Sequence, residues 1–375
     1  MPLKRTLVLI MLTFYGTGMI LGAGIYSIIG QAAGLAGAGV WQGFALAAVA
    51  SLLTALSYAE LASLFPKAGG EYVYLRNAFP GQRWLAATIG ILVTFAGCAA
   101  VATVALTFSS YLLLFVTVPR FLVASLLLAF FTTVNIFGHK QSSWVNAVFT
   151  LLEAAGLILF IWLGWKSPIF GEALSVPPNL EVISSAALII FAYFGFENIV
   201  NLAEETKEPE KTIPRAILLS LGISTFLYIM VSLAAVALML SEQLALTEAA
   251  LTDAAMISSP KIAGILGGIA LFSTANTVVS VSAFVTMIAF IAVNVAIVAL
   301  RITSSDLPRP FRVPLSIRKI PVIPIFGIGV CLVFLLQFKS EVYFIGLAAL
   351  ICSSSTYFFY SRMSRSIQII HPSDI

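Results

Sequence analysis

Ile190-Phe191-Ala192-Tyr193-Phe194-Gly195-Phe196-Glu197-Asn198-Ile199-Val200-Asn201 sets a glycine and a carboxylate in the middle of an apolar stretch, 183–203. That stretch is long enough to cross a bilayer, which takes roughly 20 apolar residues. An ionisable group inside a span is costly and points to function. Glycine lets the chain leave helical geometry at little steric cost. Together they predict an interrupted membrane helix, whose freed amides and carbonyls are tolerated only where they line a cavity. A second such place is Gly16-Thr17-Gly18-Met19-Ile20-Leu21-Gly22-Ala23-Gly24-Ile25-Tyr26. Its Gly22-Ala23-Gly24 falls near the centre of the first span. A half-helix starting there would turn its amides, at the positive dipole end, toward a carboxylate. The same glycines also suit close packing of helices through small residues.

Composition agrees with a membrane setting. The chain has 375 residues, is 60% hydrophobic and only 10% charged, and has a mean hydropathy of +1.04. Soluble domains carry about 25% charged residues. A soluble enzyme, a nucleic-acid binder and a disordered chain are excluded on this ground. Cys98, Cys331 and Cys352 all lie in apolar runs, and the two histidines, His139 and His371, are far apart in sequence. Structural zinc and a disulfide framework are not expected. Lys4 and Arg5 precede an apolar stretch, as in a signal peptide, but residues 6–59 hold no charged side chain and further spans follow. The region reads as two membrane helices joined by a Gly-rich turn.

Charge-poor runs mark ten spans: 7–29, 40–65, 84–116, 121–137, 144–165, 183–203, 213–240, 262–300, 320–338 and 342–361. The interrupted candidates are the first and the sixth, the spacing that an inverted repeat of five spans produces. The run 262–300 would be about 58 Å of continuous helix against a hydrocarbon core of about 30 Å. With a cytoplasmic N-terminus and one crossing per run, sixteen Lys and Arg fall inside and four outside. If 262–300 crossed twice, the split would become ten and ten. The positive-inside rule therefore asks for one crossing by a run that is bent, strongly tilted or partly outside the hydrocarbon, with Ser273, Thr274, Asn276 and Thr277 as candidate places for a kink, and for both termini in the cytoplasm of a cell (inner or plasma) membrane. Trp41, Trp84, Trp144 and Trp165 lie near span ends, as interfacial anchors do. The Pro-rich stretch 307–324 reads as a charged, solvated connector. The stretch 67–82 reads as a gate helix or a surface loop.

Three longer runs carry a family resemblance. Ser57-Tyr58-Ala59-Glu60-Leu61-Ala62-Ser63-Leu64-Phe65-Pro66-Lys67-Ala68-Gly69-Gly70-Glu71-Tyr72-Val73-Tyr74 resembles the second-helix signature of amino acid permeases of the amino acid–polyamine–organocation superfamily. Phe191 to Asn198, followed by Leu202-Ala203-Glu204-Glu205-Thr206-Lys207-Glu208-Pro209 and on to Pro214-Arg215-Ala216, resembles the sixth-helix signature and its loop. Asp306-Leu307-Pro308-Arg309-Pro310-Phe311-Arg312-Val313-Pro314 resembles the segment after the tenth helix. The resemblance implies an all-α polytopic membrane protein of the leucine-transporter type. That fold has two inverted five-helix repeats and two further helices: here 7–165, a shortened 183–301, and 320–361. It implies an amino acid substrate, with its carboxylate on the amides at Gly22, Ala23 and Gly24. Its ammonium would sit on the carbonyls of Ile20, Phe191 and Phe194 beside Gly195, with Phe191 as the aromatic cover. It implies secondary transport by alternating access, proton-coupled or by exchange. The family norm is twelve helices. About ten fit here, because 271–278 resembles the start of an eighth helix and 279–301 a tenth, with the remainder of the eighth, the ninth and their connections missing. A transport-inactive relic, a deletion product, sensor or partner-binding chain, is the alternative.

Glu60 lies near a helix end, where pairing with a base or a backbone amide is expected. Glu153 sits near the centre of the fifth span with apolar or small residues on both sides. A carboxyl there could carry a proton or simply bond to a neighbouring helix. Glu197 matches a family acid linked to gating and proton coupling. No nucleophile, base or metal constellation of an enzyme is present, and nothing calls for a cofactor.

Overall fold

Polar and Gly/Pro punctuation sets the helix ends. The computed structural model describes residues 5–112, 118–136, 139–247, 249–270, 276–338 and 340–370. α1 (Leu9–Ala36) stops at Gly37, whose φ of +62° suits glycine. α2 (Val40–Leu64) stops at Phe65, before Pro66. α3 (Gly70–Ala78) starts from a left-handed Gly69. α4 (Arg83–Leu112), α5 (Arg120–Ile136) and α6 (His139–Trp165) follow. The sixth segment begins as α7 (Glu181–Ile189), and α8 (Pro209–Leu238) starts with proline in its first turn. Two short helices, α9 (Ser241–Leu246) and α10 (Ala250–Ser258), lead to α11 (Pro260–Ala270) and α12 (Asn276–Thr303). A hairpin of β1 (Ser316–Ile317) and β2 (Ile320–Pro321) precedes α13 (Val322–Leu335) and α14 (Ser340–Ile370). Among the described residues, seven helical stretches are long and apolar enough to cross a membrane, and three shorter apolar helices join them. Each overlaps one of the ten expected runs, although the run 262–300 is covered only from Ser282 and the second stretch begins at Ile28.

Two sets of loop contacts mark the two ends of the bundle. At one end, the Thr6 and Leu7 N–H groups donate to Glu205 O at 2.8 and 3.0 Å, and Lys207 N–H donates to Leu7 O at 2.9 Å. Gly69 N–H donates to Asn201 Oδ1 at 3.2 Å. At the other end, Trp41 Nε1 donates to Ala173 O at 3.0 Å, Gln42 Nε2 to Val176 O at 2.6 Å and Ser167 Oγ to Ala237 O at 2.7 Å. Leu244 and Ala245 of α9 close on Gly30 and Gly34, also at this far end. The run from α11 to α12 therefore leaves the far end and finishes with Arg301 at the near one. Of the candidate places for a kink, Ser273 and Thr274 lie outside the described residues, while Asn276 and Thr277 open α12.

The near end is held by a buried carboxylate. Glu60 and Arg301 are both buried, with side chains 0% and 3% exposed. Arg301 Nε donates to Glu60 Oε1 at 2.8 Å and Nη2 to Oε2 at 2.5 Å. Arg309 Nη1 donates to Oε1 at 2.9 Å, and Val313 N–H to Oε2 at 2.7 Å. Glu60 thus pairs with bases and an amide, as its helix-end position suggested. The stretch 307–324 is a largely exposed connector, as expected, but it is anchored at Arg309 and Val313. It is drawn under α2 because one carboxylate can satisfy two guanidiniums and an amide at once.

α3 docks beneath the sixth segment. Tyr58 O–H donates to Glu71 Oε1 at 2.7 Å, and the Tyr58 ring meets Tyr74, Phe196 and Phe290 edge to face. Burial pushes the Glu71 carboxyl above the ordinary carboxylate range, while the Tyr58 O–H and a backbone amide pull it partly back.

Glu60→Gln leaves two buried guanidiniums without a counter-charge. The cost of breaking such a pair is about 3–5 kcal/mol. The variant should melt well below wild type in detergent or nanodiscs, and an unchanged midpoint would show that the cluster does not hold the near end. Glu71 acts in the opposite sense. Its folded carboxyl titrates above the unfolded one, so its stabilising contribution is complete at low pH and is lost as pH rises through the raised value. Glu71→Gln should therefore gain on wild type between about pH 4 and about pH 8. A constant difference in melting temperature across that range would contradict this.

Candidate functional site

Segment six breaks where its sequence says it should. α7 passes into a 3₁₀ turn, Ile190–Tyr193, and Phe194 is extended at φ −66°, ψ 148°. Gly195 takes φ +126°, and a ten-residue 3₁₀ helix, Phe196–Glu205, completes the segment. Two constraints demand glycine at 195: its φ, and a Cβ position only 2.5 Å from Met19 O of α1. One level along, a Cβ on Gly24 would stand 2.6 Å from Ala192 Cα. α1 and the broken part of segment six thus touch backbone to backbone.

α1 itself is not broken. It runs as one helix through Gly22, Ala23 and Gly24, so the half-helix amides expected there are absent. The alternative use of glycine applies instead. Gly24 admits Ala192, Gly18 admits Thr150 of α6, and Gly16 admits Ile199 and Ser220. A glycine-rich helix reads the same in sequence whether it breaks or packs, and here packing consumes the glycines.

The polar groups at the break are matched to one another. Glu197 Oε2 accepts the Gly195 N–H at 2.8 Å, and Asn198 Nδ2 lies 3.5 Å from Glu197 Oε1. The carboxylate caps the start of the second half-segment, where an acid is favoured. Phe191 O accepts the Phe194 N–H at 3.1 Å. The Tyr228 hydroxyl of α8, wholly buried, lies 2.5 Å from Ile20 O and 3.0 Å from Ala192 O. With one proton it donates to one carbonyl at a time, so it ties α1 to segment six from a third helix. Phe191 and Phe194 are half-buried, with ring centroids 5.8 Å apart, and Phe194 packs edge to face on Phe290 of α12 at 5.2 Å.

Of the expected site residues, the structure brings Ile20, Gly24, Phe191, Phe194, Gly195 and Glu197 to one place, with Gly22 and Ala23 on the same stretch of α1. The carbonyls that converge are those of Ile20 and Ala192 rather than Ile20, Phe191 and Phe194. Glu153 lies on α6, half-buried. Tyr228 escaped the sequence reading. Its signal was a single tyrosine inside an apolar run, whose hydroxyl must find a buried partner. No group of three or more His, Cys, Asp or Glu side chains that could hold a metal ion occurs among the described residues.

The sequence profile of the amino acid permease family matches residues 7–259. The chain belongs to that family. An uncharacterized transporter of Mycobacterium tuberculosis (strain H37Rv) is 32% identical over 267 residues, 68% of this chain and 58% of that one. The branched-chain amino acid permease BcaP of Bacillus subtilis is 33% identical over 61% of this chain and 54% of its own. This family member therefore spans little more than half the length of these relatives in the matched part. The methylthioribose transporter of Bacillus subtilis is 26% identical over 439 aligned positions, 96% of this chain and 94% of that one. A solved structure of Mhp1, a nucleobase–cation-symport-1 family transporter in a closed conformation with bromovinylhydantoin bound, aligns over 96% of this chain at 14% identity with a TM-score of 0.48.

Tyr228→Phe removes the hydroxyl that bridges α1 and segment six. It should lower stability by about 1–3 kcal/mol, read as a drop in melting midpoint, because the buried carbonyls of Ile20 and Ala192 lose their shared donor. A midpoint equal to wild type would show that the bridge carries nothing.

Proposed function

We propose that this permease is a secondary transporter that moves an amino acid across the cell membrane by alternating access. The observation that carries the reading is the break at Phe194–Gly195, closed against α1 by groups that a zwitterion could replace. In this reading the substrate ammonium takes the carbonyls of Ile20 and Ala192 from the Tyr228 hydroxyl, with the neighbouring carbonyls of Phe191 and Phe194 in reach. The substrate carboxylate takes the Gly195 N–H from Glu197. Phe191 covers it. Protonation of Glu197 weakens its hold on the Gly195 N–H, so proton uptake and carboxylate binding favour each other. Glu153, half-buried on α6, is the second proton-carrying group in this reading. Residues 7–165 act as the first repeat, 183–301 as a shortened second repeat and 320–361 as two further helices, with both termini in the cytoplasm. Two relatives, a branched-chain amino acid permease and a methylthioribose transporter, support a small organic substrate and leave the amino acid as first choice.

A second reading is a permease-like chain that no longer transports. Two observations favour it. The alignment to the methylthioribose transporter takes 439 positions, more than this chain's 375 residues. The family profile stops at residue 259, just before the long 262–300 run. Both support an internal loss from the scaffold around the eighth and ninth helices.

Uptake of a labelled amino acid mixture into proteoliposomes, with and without an imposed proton gradient, separates the two. Gradient-stimulated uptake is expected from the first reading, and Glu153→Gln should abolish the stimulation. Stimulation that survives in Glu153→Gln removes that residue from coupling. No uptake from monodisperse protein selects the second reading.

A further inference from the structure

The linker between α12 and α13 folds back on the near end and encloses a cavity of about 250 Å³, lined by Arg301, Ser305, Leu307, Arg309, Arg312 and Lys319. Four of these six side chains are cationic and none is acidic. Glu60 lies behind the wall with both oxygens engaged by Arg301, Arg309 and Val313. One carboxylate set against two guanidiniums leaves a positive excess. Arg312 and Lys319 add to it, and neither pairs with a carboxylate among the described residues. Arg309 feels the like charges of both Arg301 and Arg312. The nearest acid on the linker, Asp306, is exposed, accepts from Ser305 Oγ at 3.2 Å and does not line the cavity.

The arrangement is more than a bias of charge toward one end. The positive-inside rule asks only that cations lie on one side of the membrane. Here two arginines are locked in place. Arg309 Nη2 donates to the carbonyls of Leu300 and Ser304 at 3.2 and 3.1 Å, and Arg301 Nη1 donates to Ser316 Oγ at 3.2 Å. They form a fixed floor, while Arg312 and Lys319 stand exposed at the mouth. Lys319 Nζ donates to Ser305 Oγ at 3.2 Å, which sets a hydroxyl beside an ammonium. Fixed guanidiniums with an exposed ammonium and a hydroxyl are the donor set that phosphate oxygens call for. The volume falls below the roughly 300–1,000 Å³ of pockets for drug-sized ligands, so it fits a headgroup rather than a cofactor. The adjoining hairpin leaves Leu315, Ile317 and Ile320 exposed beside Arg318 and Lys319. Apolar side chains interleaved with cations at the end of a span match the headgroup region of a bilayer.

We propose that this cavity binds a phosphate group, carried by an anionic phospholipid and held between Arg312 and Lys319 over the Arg301–Arg309 floor. The site does not depend on whether the chain transports. The test compares melting of the full chain in nanodiscs of phosphatidylglycerol with nanodiscs of phosphatidylcholine, and in the latter with millimolar inorganic phosphate added. Phosphatidylglycerol should raise the midpoint by about 3 °C or more, and added salt should shrink the rise. Arg312→Gln with Lys319→Gln, both exposed, should remove most of it. Lys67→Gln with Lys207→Gln, which takes the same charge from the same end outside the cavity, should keep it. A rise with inorganic phosphate alone, lost in the Arg312/Lys319 pair, would support the phosphate site and assign it to a soluble anion. No rise in either arm, or an equal loss in both variant pairs, would overturn the proposal.

Discussion

The constraint on which the rest of the molecule depends is the backbone contact between α1 and the interrupted sixth segment. Gly195 can leave helical geometry only because it lacks a Cβ, and it can approach Met19 for the same reason. Once the chain breaks there, an N–H and several carbonyls lose their helical partners inside a region without water to receive them. Glu197 and Tyr228 answer that need from within the segment and from α8. Both could be displaced by a small zwitterion without leaving those backbone groups unpaired. In the proposed transport reading, the atoms that meet this structural necessity are also those that bind the substrate.

The two ends of the bundle are fixed by different means. The far end is closed by side chains donating to loop carbonyls, as in the Trp41 and Gln42 bonds. The near end is fixed by charge, through Glu60 and two arginines. A buried ion cluster is a poor source of net stability, since desolvation offsets much of its attraction. It is a good source of position, because a bidentate guanidinium–carboxylate pair tolerates little misalignment. The linker after α12 is thereby held in one place beneath α2, and the basic cavity follows from that placement. Segment six reaches the same end through the backbone bonds of Glu205 and Lys207 to Leu7, so helix packing and linker position share one surface.

Much of this was legible in the sequence, for physical reasons that differ by element. The spans could be read because charge is excluded from hydrocarbon. The expectation of a single crossing for the 262–300 run rests on how Lys and Arg are distributed by side. The break at Phe194–Gly195 could be read because glycine and an acid coincide there. The Gly22–Gly24 break could not be judged, because glycines that loosen a helix and glycines that let it pack are the same residues. Tyr228 and the folding-back of Arg309 were hidden for a different reason. Their partners lie far away in the chain, at Ile20 and Glu60, and no local pattern announces a distant carbonyl or carboxylate.

The most direct measurement is amide hydrogen exchange of the protein in nanodiscs, resolved for peptides covering residues 16–26 and 190–201. A continuous α1 against an interrupted segment six predicts that the second peptide exchanges at least about tenfold faster than the first, since 3₁₀ and extended backbone at the break opens more readily than a helix interior. Equal protection of the two, or faster exchange around Gly22–Gly24, would contradict the account.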